Sequence, residues 1–123
     1  MSIHQIVVRD FVRDVLNHHG DALSKKIYRE SHRRCRELLL KLEITEKTIG
    51  DGVKVMADEI FQNHVKYCHV LVLLTFCIEL DKQCKLKQFD WYSKELLVNN
   101  VIDILCDVKF IPPSRSNNTC TII

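Results

Sequence analysis

Residues 61–80 read FQNHVKYCHVLVLLTFCIEL, and the second half of this stretch decides the fold. From Val70 to Leu80 only Thr75 and Glu79 interrupt an apolar run. A helix that is apolar on every side has to be wrapped by other helices. The run is far shorter than the roughly 20 apolar residues that cross a bilayer, and no other run comes close. Periodicity alone would also allow a buried strand. Length and the lack of partner strands favour a helix, from about Tyr67 to Lys82.

Working outward, the flanking segments are amphipathic. Ile3 to His19 carries apolar residues at 3, 7, 8, 11, 12, 15 and 16, a helical stripe opposite Arg9, Asp10, Arg13 and Asp14. Gly20 reads as a C-cap and Asp21 as the N-cap of a second helix that runs to about Leu42. That helix carries Leu23, Ile27, Cys35, Leu38, Leu39 and Leu42 as its apolar face. Thr45 to Gly52, TEKTIGDG, reads as a loop or a short, poorly formed helix. A further helix starts near Asp51 and carries Val53, Met56 and Ile60. After the apolar helix, Lys85 to Asn100 reads as an amphipathic segment with Leu86, Phe89, Tyr92 or Trp91, Leu96 and Leu97 inward. Val101 to Phe110 reads as a last short helix, stopped by Pro112-Pro113, the chain's two prolines. The expectation is an all-α helical bundle over residues 1–111 and a flexible C-terminal tail over 112–123.

The bulk composition fits one globular domain. The chain has 123 residues, 46% of them hydrophobic and 28% charged, which argues against disorder. A net charge of +2 is too small to imply a nucleic-acid partner by itself. Between Asp21 and Leu42 seven Lys or Arg face three acids. A solvated helix face explains them, since no aromatic platform or nucleic-acid motif accompanies them. The six cysteines, 35, 68, 77, 84, 106 and 120, are far apart and mostly at apolar helical positions. With no secretory leader pattern, they read as reduced thiols of an intracellular protein.

No catalytic constellation is present: no phosphate-cradling glycine loop, no nucleophile elbow, no paired-histidine zinc motif. His64, Cys68 and His69 are the nearest approach to a metal set, but only His64 and Cys68, at i, i+4, could share a helix face, and a third and fourth ligand on that face and any Cys-x-x-Cys are missing. The expectation is therefore a protein that is not an enzyme and uses no cofactor. What remains is an interaction domain. Two amphipathic helices flank a weak, glycine-containing segment, and their apolar side chains could line a groove for an amphipathic partner helix.

The order of these elements resembles the Bcl-2 family of apoptosis regulators, over about residues 3 to 110. The similarity is carried by LLLKLEIT (38–45) and by VMADEIFQNHVKYCHVLVLLTF (55–76), which looks like the family's first homology region entering its central helix. Phe61 stands at the family's Phe, and Asn63 where an Asp is usual. The family's Asn-Trp-Gly-Arg falls on Tyr67, Cys68, His69 and Val70, all different. Leu23 to Ile27, LSKKI, aligns with the BH3 region, with Lys25 where the family has Asp, which resembles a guardian more than a killer ligand. The short first turn and the degenerate signatures are similar to viral members, such as those of iridoviruses.

The resemblance implies a Bcl-2-like bundle around one central apolar helix and an inhibitor of apoptosis that sequesters pro-apoptotic BH3-containing proteins of the host. The implied groove residues are Cys35, Leu38, Leu42, Val53, Met56, Ile60, Val70 and Leu73, with Tyr67 and His69 at its polar edge. Val70 cannot form the ion pair that the family's Arg makes with a BH3 Asp, so a narrow or weakened ligand range is expected. The alternative is a bundle of the same fold that acts as an adaptor or host-signalling inhibitor without binding BH3 helices. The expected location is the host cytoplasm, at or near mitochondrial or other membranes, without a transmembrane anchor. Monomer and homodimer both remain open. The ending Cys120-Thr-Ile-Ile has the shape of a prenylation box, which makes Cys120 a candidate lipidation site.

Overall fold

The computed structural model describes residues 1–113. They form five α-helices: α1 (Ile3–His18), α2 (Ala22–Leu40), α3 (Val53–Phe61), α4 (Tyr67–Leu86) and α5 (Lys94–Asp107). A π-helical turn, Thr48–Gly52, leads into α3. No strand occurs among the described residues, and the fold is all-α. The tail beyond residue 113, Cys120 included, lies outside the described residues.

α1 starts on a reciprocal capping box. Ser2 accepts from the Gln5 backbone N–H, and the Gln5 side chain accepts from the Ser2 backbone N–H. Val8, Val12, Val15 and Leu16 are buried, whereas Ile3 and Val7 are exposed, so the inward stripe is narrower than its seven apolar positions suggest. His19 and Gly20 then hold φ of 60° and 70° in succession. A Cβ on Gly20 would stand 2.8 Å from Ser24 Oγ and 3.0 Å from Val15 Cγ2, so this turn needs glycine for space as well as for φ. Asp21 caps α2 by accepting from the Ser24 N–H at 2.8 Å.

The most extensive interhelical packing is α2 on α4, followed by α1 on α5. Side-chain bonds fix the direction of the first pair. The Tyr67 hydroxyl, at the start of α4, donates to Asp21 Oδ2 at the start of α2. Arg36, four turns along α2, donates to Glu79, more than three turns along α4. The two helices therefore run in the same sense, and their C-terminal ends lie at the same end of the bundle. α1 and α5 run oppositely: Lys94 bonds Asn17, Arg13 bonds Glu95, and the His4 ring meets the Phe110 carbonyl at 2.7 Å.

α4 buries fourteen of its twenty residues and packs against α1, α2, α3 and α5. Both polar residues of the Val70–Leu80 run are satisfied internally. Thr75 donates to the Leu71 carbonyl at 2.9 Å, and Glu79 is held by three partners described below. α4 continues one turn past the expected Lys82. Leu86 is exposed rather than inward, and the segments expected at 85–100 and 101–110 are instead a loop and the single helix α5. Ser93 caps α5 by accepting from the Leu96 N–H at 3.2 Å, and neither glycine nor proline interrupts residues 94–107. Phe89 and Trp91 stack at 4.9 Å in the loop and half-cover the core edge.

Candidate functional site

α2 and α3 each pack on α4 without packing appreciably on one another. The ten residues expected to line a groove divide by burial. Cys35, Val53, Tyr67, Val70 and Leu73 lie in the core. Met56, Ile60 and His69 are half-buried, and Leu38 and Leu42 are exposed at 43% and 49%. They also divide by position. Leu38 in the last turn of α2 and Leu42 just beyond it lie beside the far end of α4, while Tyr67 and His69 stand at its start, and α4 is about 30 Å long. In this conformation a partner helix could touch only the half-buried and exposed members.

Tyr67 is not a free donor at a groove edge. Its ring clusters with those of Phe11 and Phe110, at 6.1 and 6.5 Å, and its hydroxyl is given to Asp21. The open strip on the apolar part of α4 is instead Cys68, His69 and Val72, the only half-exposed residues between 67 and 81. Cys68 and Val72 are i, i+4 neighbours on one face, which helical spacing does offer as a clue. The stronger apolar signal of Val70 and Leu73 draws attention away from them. The His69 ring lies 3.4 Å from the His64 carbonyl.

A polar cluster ties α2 to α4. Glu79, 1% exposed, accepts from the Tyr28 hydroxyl at 2.7 Å and from Arg36 Nε at 3.1 Å, with Lys82 Nζ at 3.3 Å. Lys82 also donates to Tyr28 Oη at 2.5 Å and stands over its ring, while His19 and His32 contact that ring at 4.2 and 4.8 Å. Burial alone would raise the Glu79 pKa. The hydrogen bonds from Tyr28, Arg36 and Lys82 outweigh it and hold the carboxyl below its ordinary value. The Lys82 ammonium is opposed by its own burial, but Tyr28 and Glu79 hold its pKa above the ordinary lysine value. Glu79 is thus an ionised carboxylate inside the bundle, stabilised by partners on two helices.

Little else offers chemistry. The five described cysteines are free thiols. Burial pushes the Cys35 and Cys84 pKa values up to about 11 and raises that of Cys77 further, which makes all three unreactive near neutrality. Among the described residues no three His, Cys, Asp or Glu side chains converge as a metal site would, and His64, Cys68 and His69 do not form one. A shallow cavity of about 280 Å³ between α1 and α5 is lined by Arg13, Asn17, Lys94, Glu95 and Val98, whose polar groups pair across it. No described helix is long and apolar enough to cross a membrane.

No protein-family model, curated protein or solved structure matches the chain.

Proposed function

We propose that this chain is an anti-apoptotic Bcl-2-like bundle that holds a pro-apoptotic BH3 helix of its host on the surface shared by α2, α3 and the start of α4. The observation that carries the reading is the placement of α2 and α3 on α4 without mutual packing, with Leu38, Met56 and Ile60 left partly open. An amphipathic helix has anchors at i, i+3/i+4 and i+7 that suit such a surface. Leu23, Ile27 and Leu38 share one flank of α2, and Cys68, His69 and Val72 form the accessible strip on α4. Val70 is fully buried and meets no ligand in this conformation. His69 is then the strip's candidate partner for a BH3 carboxylate. A charge-assisted hydrogen bond is worth roughly 1.5–3 kcal/mol, so its loss predicts affinities about 10–100-fold below those of groove proteins that retain an arginine.

Calorimetric titration of a panel of BH3 peptides tests this. Binding of one or a few peptides, abolished by Met56→Glu or Ile60→Glu in folded protein, supports the reading. Uniformly tight binding of the whole panel removes the narrow range, and no binding removes the function. The cellular counterpart is protection from induced death, which both variants should lose.

One observation favours the second reading, an adaptor or host-signalling inhibitor of the same bundle. Val53, Val70 and Leu73 are sealed, and the Tyr67 hydroxyl is already committed to Asp21. A chain that never opens this region would bind no BH3 peptide yet fold normally. Light scattering with and without peptide separates monomer from homodimer in either case.

A further inference from the structure

We infer that the end of the bundle where α2 and α4 terminate docks on an anionic membrane surface. Leu38, Leu40, Leu42 and Leu86 are 43%, 64%, 49% and 75% exposed there. Because α2 and α4 run in the same sense, Leu40 and Leu86, their last residues, lie at one end of the molecule. Exposed Arg33 and Arg34 precede the leucines by one to two turns of α2 and Lys41 follows Leu40, and exposed Lys85 and Lys87 flank Leu86 on the α4 side. The acids nearby are fewer or engaged. Glu37, Glu43 and, in the loop after α4, Asp90 are exposed, Asp81 is held by Lys85 and the Tyr92 hydroxyl, and Glu79 is buried beneath Arg36 and Lys82.

The shape of this end selects the occupant. Successive helical residues are about 100° apart, so Leu38 and Leu40 leave α2 on nearly opposite sides. No single groove or partner helix can clasp both. A bilayer interface surrounds a protruding tip from every side, buries all the leucines together, and places the cationic collar among anionic headgroups. A second copy of the chain would bring like charges together. A nucleic acid would gain nothing from the leucines, and the nearest aromatics, Phe89 and Trp91, are half-buried and already stacked on one another rather than presented to bases. The inference shares Leu38 with the BH3 surface but uses neither α3 nor the start of α4, and its test rests on Leu40, Leu86, Arg33 and Arg34, none of which that surface uses.

Flotation of the full chain with lipid vesicles tests it. Protein made in bacteria carries no prenyl group, so the tip alone is measured. Flotation is expected with vesicles containing roughly one third phosphatidylserine, not with phosphatidylcholine alone, and should fall as salt is raised to about 0.5 M. Leu40→Gln with Leu86→Gln should lower partitioning at least about tenfold, with helicity and unfolding midpoint unchanged because both side chains are exposed. Arg33→Glu with Arg34→Glu should do likewise. Equal partitioning on both vesicles, no flotation, or leucine variants that float like the parent would overturn the inference. So would saturable binding of an acidic amphipathic peptide or an oligonucleotide in place of vesicles, which would assign the tip to that partner.

Discussion

His19, Gln62, Gln88 and Lys109 all hold positive φ, and each follows the last residues of a helix, α1, α3, α4 and α5 in turn. At Gln88 and Lys109 the hydrogen bonds from Phe89 to Cys84 and from Phe110 to Leu105 close the helix end in the manner usually served by glycine. Gln62, with φ 49° and ψ −113°, is the first central residue of a tight turn closed by His64 N–H on the Phe61 carbonyl, another glycine position. Gln62→Gly should therefore raise the unfolding free energy by about 1 kcal/mol in denaturant titration. Glu79 makes the opposite case. Glu79→Gln keeps the shape but removes the charge that Tyr28, Arg36 and Lys82 share, and should cost about 1–3 kcal/mol. The pH dependence follows from direction. The Glu79 and Asp21 pKa values are both lowered from ordinary values of 4.5 and 3.8. Their contribution is present above those values and is lost as pH falls through the lower folded ones. Denaturant midpoints followed on acidification should decline below about pH 4.5 in the parent, and less in Glu79→Gln.

At the scale of elements, α4 bears the greatest penalty for disruption. Leu74 is fully buried within it, and Leu74→Asp should abolish folding, read as loss of helical signal in circular dichroism. Asp21 is a lesser but informative point. Asp21→Ala removes both the α2 cap and the acceptor of the Tyr67 hydroxyl, and should lower the melting temperature through a loss of about 1–2 kcal/mol. The same residues explain what could be read in advance. Asp21 and the run from Val70 to Leu80 carry strong local signals, and α2 and α4 emerge where they point. The loop at 87–93 and the unity of α5 were hidden because Gln88, not glycine, ends α4, so the usual punctuation is missing. The groove was less legible still. Periodicity marks Val70, Leu73 and Cys35 as apolar but is blind to whether other helices cover them. Tyr67 reads from sequence as a groove-edge residue because the acceptor that engages its hydroxyl, Asp21, is 46 residues away in sequence.

For the whole molecule, the sharpest experiment remains the BH3 titration joined to the vesicle assay, since the two surfaces share Leu38 but are tested through different residues, Met56 and Ile60 against Leu40 and Leu86, and can fail separately. The topology also governs how the chain reaches its folded state. The bonds between α2 and α4 join residues 43 to 54 apart, and those between α1 and α5 or the residues just after it join residues 77 to 106 apart. A helical protein whose helices pair over such distances has a higher contact order than a bundle in which sequential helices pair, and should fold more slowly than an up-and-down bundle of equal size. During synthesis α4 emerges before the partner that α1 requires has been made. Its apolar surface then waits for residues 94–107, a window in which chaperones or self-association can capture it. A chain cut before residue 94 should therefore remain insoluble or unfolded, although four of its five helices are present.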